Sequence, residues 1–244
     1  MKDYLLDLVE HTHDLGFIDL IKITGDTSKT SIVGIAEDMS VVVEAEFKNP
    51  VPEFVGTFGM PNLSKLKVLL NIQEYKENAT ITVSRQDRNG EVVPVGLHFE
   101  NQAGDFKNDY RFMTAEIVAE KLKTPKFRGV KWDVEVEPSV TAIQRFNFQA
   151  TANNEHTSFI AKTENGNLKF VFGDQSTHGG EFVFAQGVTG NLNKAWTWPV
   201  ASVLGILKIA DANNSKISFS NEGAMQVTLD SGIATYKYII PAQA

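Results

Sequence analysis

The sequence predicts an α+β protein built from two similar halves. Much of the chain forms short runs of alternating, β-branched and aromatic residues, as in Ser40–Phe47 and Leu168–Phe172, a pattern typical of antiparallel strands. Four segments instead show helical spacing; they cover approximately residues 2–14, 61–72, 138–152 and 200–212. Each half therefore combines two helices with several strands.

An internal repeat supports this division. The pattern P-x-x-S-x-L-x-x-L begins at Pro61 and again at Pro199, which is 138 residues later. The strand-like pattern N-x-x-I-x-x-S begins at Asn78 and again at Asn214, which is 136 residues later. Nearly equal offsets for a helix and for the strand after it indicate a duplication. We expect a first domain over 1–113, a charged connecting loop over 114–128 and a second domain over 129–244.

Composition excludes several classes of protein. The 244 residues include 42% hydrophobic residues and no cysteine, which fits an ordinary globular core and excludes disulfide scaffolds, thiolate metal sites and cysteine nucleophiles. No apolar run approaches the ~20 residues that span a bilayer. Acidic residues interrupt the N-terminal segment where a signal peptide would be apolar. We expect a soluble cytoplasmic protein that does not enter a membrane.

Charge is unevenly distributed among the predicted helices. The chain carries 23 Lys and Arg against 30 Asp and Glu, a net charge of −7, which argues against a protein that coats nucleic acid with its whole surface. On the second, third and fourth helices, however, basic residues lie opposite the apolar stripe or beside its far face; they are Lys65, Lys67, Arg145 and Lys208. Single surface lysines are usually just solvated, but together these four indicate a local surface that contacts phosphates without reading sequence.

Several motifs, in order, resemble the DNA polymerase sliding clamps of the proliferating-cell-nuclear-antigen (PCNA) type, and in particular those of tailed phages. Met60-Pro61-Asn62-Leu63-Ser64 is similar to the second helix of that family, and Asp109–Met113 to the strand that ends its first domain. Residues 120–125 (EKLKTP) are similar to its interdomain connecting loop, and Tyr238–Pro241 to its closing strand.

This resemblance implies the DNA clamp (processivity) fold: two similar domains, each with two helices on antiparallel sheets, and three subunits closed head-to-tail into a ring. It implies a processivity factor that encircles double-stranded DNA, tethers the DNA polymerase and is placed by a clamp loader. No catalysis, cofactor or metal is expected.

The resemblance also implies site residues by position. DNA contacts fall on Lys67, Arg145 and Lys208, with Lys65 adjacent. The partner-peptide pocket involves Val41, Val43, Leu122, Ile240 and Pro241. Subunit contacts pair the edge strand around Tyr110 and Phe112 with the strand around Phe182 and Phe184 of the neighbour. One departure is the first helix, which is acidic where the family places basic residues; either it contributes little to DNA contact or its pairing with the family's helix is wrong.

Two other classes compete with this interpretation. His11 and His13 form an H-x-H pattern, but i and i+2 positions of a helix face different sides, which disfavours a shared metal. No G-x-S-x-G, P-loop or dinucleotide-binding motif occurs. The alternative is a β-rich viral structural or carbohydrate-binding protein, in which Trp196 and Trp198 stack on sugars; core aromatics are the simpler explanation of such residues.

Overall fold

The computed structural model describes residues 1–88, 90–123, 129–174, 176, 178–210 and 212–243. Within them the chain forms five α-helices: α1 (Lys2–Glu10), α2 (Leu63–Asn71), α3 (Ala115–Lys121), α4 (Val140–Ala152) and α5 (Val200–Ile209). The chain divides into two compact units, the first comprising Met1–Pro125 with Gly232–Thr235 and the second Lys126–Ser231 with Tyr236–Ala244. None of the described helices is long and apolar enough to cross a membrane.

Within its described residues, the first unit contains seven strands. They are β1 (Leu20–Gly25), β2 (Thr30–Ile35), β3 (Val42–Phe47), β4 (Gly56–Pro61), β5 (Thr80–Arg88), β6 (Glu91–Glu100) and β7 (Lys107–Arg111). All their pairings are antiparallel, in the orders β4-β1-β2-β3 and β5-β6-β7. Alternation along the strands decides which side chains enter the core: in β2, every second residue from Thr30 onward is buried.

The second unit repeats this arrangement. Its strands are β8 (Val134–Val136), β9 (Ser158–Glu164), β10 (Asn167–Phe172), β11 (Gly180–Gln186), β12 (Thr197–Pro199), β13 (Ser215–Ser220), β14 (Ala224–Asp230) and β15 (Ala234–Pro241). Their orders are β12-β9-β10-β11 and β13-β14-β15, with β8 beside β13. In both units a strand that ends in proline, β4 or β12, leads into a helix and then into a second sheet. The predicted α+β class and the two similar halves are therefore confirmed.

Helix ends differ from the sequence prediction where side chains compete for backbone groups. The first helix ends at Glu10 rather than Asp14, because Thr12 Oγ1 donates to Leu8 O at 2.6 Å and a separate 3₁₀ turn follows over His13–Leu15. The second begins at Leu63, two residues after the expected proline, because Asn62 adopts a left-handed conformation with φ 52°.

The predicted connecting loop starts as a helix. Helix α3 occupies residues 115–121, with the Thr114 side chain accepting a hydrogen bond from the Ile117 N–H at its N-terminus. Val118 is fully buried against Gly59, where an added Cβ would lie 2.7 Å from a Val118 methyl carbon. The sequence did not predict that apolar contact, because charged residues surround Val118 in this segment. Residues 124–128 of the predicted loop lie outside the described part of the chain, and the domain limits stay a prediction.

Candidate nucleic-acid interface

Helices α1 and α2 pack together in the first unit, and we call residues 2–15 and 63–71 the first helix pair. The apolar stripe expected on α2 is confirmed, since Leu63, Leu66, Leu69 and Leu70 are all buried. The opposite face, with Ser64, Val68 and Asn71, is exposed. Burying four leucines fixes the rotation of α2 and directs the polar side chains outward.

Lys65 and Lys67 both reach solvent, but their surroundings differ. Lys67 Nζ lies 2.9 Å from Asp14 Oδ1. Lys65 has no carboxylate within ion-pair distance among the described residues. The pair's third lysine, Lys2, donates to the carbonyl oxygens of Tyr75 and Lys76 at 2.7 and 3.1 Å. With Asp3, Asp7, Glu10 and Asp14, the first helix pair carries three lysines and four carboxylates.

Helices α4 and α5 pack together in the second unit, and we call residues 140–152 and 200–209 the second helix pair. Phe146 anchors α4, since it is fully buried and its ring centroid lies 5.0 Å from that of Phe159 and 5.3 Å from that of Phe170. The pair contains Arg145 and Lys208 and no Asp or Glu. Its formal charge is therefore positive, whereas that of the first helix pair is negative.

Arg145 is exposed but held against its own unit. Its Nη1 donates to Val183 O at 3.3 Å, and its Cζ lies 5.5 Å from the centre of the Phe182 ring, a cation–π geometry. A guanidinium has five N–H donors, so further donors remain for an anion. Lys208 lies exposed in the last turn of α5, and no described carboxylate is within ion-pair distance of it.

The residues predicted for a partner-peptide pocket divide by burial. Val41, Val43 and Ile240 are fully buried, whereas Pro241 is exposed. Leu122 lines a cleft of about 430 Å³ in the first unit. The other residues that line the cleft are both apolar and polar. They are Asp19, Leu20, Ile35, Ala36, Glu37, Met39, Pro61, Asn62, Met113, Lys121 and Lys123.

Met39 is the residue of this cleft that sequence reasoning missed. Its side chain is 67% exposed, and its backbone φ is 59° in a turn where its N–H donates to Ala36 O. Exposure of a methionine between two strands has no sequence signal, because only the turn decides that the side chain leaves the core.

The residues predicted at the subunit interface lie on sheet edges, but their side chains point inward. Strands β7 and β11 are each terminal in their sheets. Tyr110, Phe182 and Phe184 are at most 6% exposed, and Phe112 stacks on Phe58 with ring centroids 4.3 Å apart. The exposed backbone of these strands, rather than the aromatic rings, is therefore what a neighbouring chain can contact.

Tyr110 is further tied to its own unit. Its hydroxyl donates to the carbonyl oxygen of Pro61, which links β7 to the end of β4. Burial raises the pKa of this phenol, with Asp19 adding to the effect.

The histidines and tryptophans that could have indicated a metal site or a sugar-binding site contact other residues of the chain instead. His11 is buried and lies 2.8 Å from Asp7 O, whereas His13 lies 3.4 Å from Asp19 Oδ1, so the two imidazoles face different partners. Among the described residues, no group of three or more His, Cys, Asp and Glu is placed to hold a metal ion. The tryptophans do not form a stacking platform, since Trp198 is 1% exposed and Trp196 Nε1 donates to Asn221 O.

Comparison with known proteins supports the fold alone. No protein-family model and no curated protein sequence matches the chain. PCNA of A. fulgidus, bound to the C-terminal region of FEN-1, is similar over 100% of this chain and 95% of its own, with 10% identity and a TM-score of 0.69. PCNA of Thermococcus kodakaraensis is similar over 100% and 97%, with 14% identity and a TM-score of 0.67. The PCNA2–PCNA3 complex of Sulfolobus tokodaii is similar over 99% of this chain and 95% of its own, with 15% identity and a TM-score of 0.64. The chain therefore has the α+β fold of the PCNA-type sliding clamps.

Proposed function

We propose that this protein is a DNA polymerase processivity factor, a sliding clamp that encircles duplex DNA without sequence preference. The observation that carries the proposal is the likeness to PCNA structures over 99–100% of the chain, with 95–97% of each PCNA chain covered. The proposal includes no catalytic step and no cofactor. A β-rich structural or carbohydrate-binding role has no comparable support.

DNA contact in this proposal is electrostatic and weak. Lys65, Lys67, Arg145 and Lys208 are exposed side chains on helices, where they can approach phosphates. Contacts to phosphate carry no sequence information, and each one formed releases condensed counterions. A ring that is linked topologically to DNA needs no tight grip, so a few such contacts are compatible with sliding. The basic second helix pair contributes most of the attraction.

The assembly proposed is a homotrimer closed head-to-tail, in which β7 of one subunit pairs with β11 of the next. Both strands are sheet edges among the described residues. Free edges invite pairing with another chain, and a heterologous contact that closes on itself gives a ring.

A proline substitution tests this pairing. Phe112 N–H donates to Val95 O of β6, so the neighbouring N–H of Arg111 points to the free edge. Arg111→Pro removes that outward donor without removing a bond to β6. We expect a folded monomer by mass photometry and circular dichroism, whereas Arg111→Ala keeps the native assembly. A monomeric native protein, both alone and with DNA, contradicts the ring.

The proposed protein partners are the DNA polymerase and the clamp loader, which dock at the cleft lined by Leu122 and Met39. Val41, Val43, Ile240 and Pro241 stay part of the predicted pocket; the first three are buried and Pro241 is exposed. One of the similar PCNA structures holds the C-terminal region of another protein. Origin in a tailed phage, and therefore action in the cytoplasm of an infected bacterium, belongs to this proposal as well.

Primer extension is the direct test of the function. On a primed circular template, the replicative polymerase encoded by the same genome should synthesise longer products per binding event when this protein and its loader are added. Linearising the template should abolish the gain, because an encircling ring slides off free ends. Met39→Glu places a charge in the cleft and should abolish stimulation without loss of DNA binding. Product lengths that do not change with the native protein contradict the proposed function.

A further inference from the structure

Lys67 already has an anion within reach. Its Nζ lies 2.9 Å from Asp14 Oδ1, with 46% and 31% of the two side chains exposed. Lys65 and Lys208, which are also proposed to contact DNA, have no such partner among the described residues. A lysine neutralised within its own chain attracts phosphate less than a free one, because the nearby carboxylate cancels its field.

The backbone holds Asp14 in place. It lies in the middle of the 3₁₀ turn His13–Leu15, which ends at Gly16 with φ 85°. Gly16 N–H donates to His13 O at 2.9 Å, and Leu15 N–H donates to Thr12 O at 3.3 Å. The turn follows α1 directly, and α1 packs on α2. The Asp14 carboxylate is therefore presented to α2 by structure, not by chance extension of a flexible side chain.

We propose that Asp14 competes with DNA phosphate for Lys67 and thereby limits how strongly the first helix pair holds DNA. This inference rests on the proposed function and names a residue that sets the strength of DNA contact. An exposed ion pair is weak and exchanges readily, so a phosphate can displace the carboxylate as the protein moves along DNA. Lys67 then alternates between the carboxylate and a phosphate, so that each contact with one phosphate is short-lived.

The test is the affinity of the full-length protein for a fluorescently labelled duplex whose two ends are blocked by streptavidin, so that a loaded ring cannot slide off, measured by anisotropy over a series of KCl concentrations. Asp14→Asn keeps the size of the side chain and removes its charge. We expect the affinity to rise about threefold or more at low salt. The slope of log affinity against log salt concentration should also become steeper by about one released counterion, because Lys67 gains a phosphate contact. In the double variant Asp14→Asn/Lys67→Gln the gain should disappear.

Glu10→Gln is the matched control. Glu10 lies exposed on α1, has the same charge and forms no ion pair among the described residues, so its loss changes the net charge equally without releasing Lys67. The inference is overturned if Asp14→Asn and Glu10→Gln strengthen binding equally, or if the gain survives Lys67→Gln. Failure of the proposed function is measured separately, by primer extension on the primed circular template: it is shown by product lengths that the native protein does not change. That result overturns both.

Discussion

The two helix pairs occupy equivalent places in two similar units, yet they differ in charge and in packing. The first combines three lysines with four carboxylates, whereas the second has Arg145 and Lys208 and no acidic residue. The second therefore offers phosphate an uncompensated positive charge, and the first offers Lys65 together with a lysine shared with Asp14. Equivalent positions in a duplicated fold need not contribute equally to binding.

The cores beneath the helices differ as well. Helix α2 is anchored by four leucines. Helix α4 is anchored by Phe146, whose ring lies within 6.3 Å of those of Phe159, Phe170, Phe172 and Phe182. Aromatic rings bury more surface per residue and add directional ring contacts. The counterpart of α2 in the repeat is α5, which is also anchored by aliphatic side chains, so the aromatic cluster under α4 is what distinguishes the second unit.

The largest expected effect is on stability. Phe146→Ala should lower the free energy of unfolding by about 3–5 kcal/mol, because it leaves a cavity at the centre of the aromatic cluster. Leu66→Ala, in the middle of the leucine stripe, should cost about 2–4 kcal/mol. Urea unfolding followed by circular dichroism measures both. A smaller loss for Phe146→Ala than for Leu66→Ala breaks the contrast between the two cores.

The next effect is on DNA affinity. Lys208→Gln should weaken binding to duplex DNA about five- to tenfold at low salt, because one phosphate contact and its counterion release are lost. Lys67→Gln should weaken it less than about twofold, because Asp14 already neutralises that charge. Titration of labelled duplex by anisotropy measures both. Equal losses for the two variants mean that the helix pairs are electrostatically equivalent.

A smaller effect concerns the tie between β7 and β4 in the first unit. Tyr110→Phe removes the hydroxyl that donates to Pro61 O and should lower the free energy of unfolding by about 1 kcal/mol. Phe170→Leu, within the second unit's aromatic cluster, is the comparison variant: it changes side-chain packing but removes no hydrogen bond. Unchanged stability in Tyr110→Phe indicates that Pro61 O finds another donor.

The smallest expected effect is on the pKa values of two carboxyl groups in the second unit. Hydrogen bonds from Lys169 lower the pKa values of Glu164 and Glu181 below the usual 4.5. Their stabilising contribution is therefore complete above about pH 4.5 and is lost as pH falls through the lowered values. Lys169→Met should raise both pKa values towards 4.5, as carboxyl NMR titration measures, and should remove most of this pH-dependent contribution to stability. Asp26 is the control in the first unit, because Ser28 lowers its pKa through local hydrogen bonds. If Glu164 and Glu181 titrate unchanged, Lys169 is not the cause.

Much of the fold was predictable because it depends on local periodicity. The four leucines of α2 and the alternation of β2 are written in the order of residues, and the repeated patterns at Pro61 and Pro199 mark corresponding strand–helix junctions. Helix α3 was missed because its one buried side chain, Val118, stands among charges. The exposure of Met39 was missed because a turn conformation, not a pattern, places it at the cleft.

By itself, the sequence determined the α+β class, the duplication and the helix faces that carry Lys65, Lys67, Arg145 and Lys208. These follow from spacing along the chain, which fixes direction around a helix or strand. Only the tertiary structure decided which of those charges are free. Asp14 reaches Lys67 across 53 positions of sequence, and Arg145 rests on Phe182 of a strand that follows much later. Such contacts depend on how elements pack, and no local pattern records them.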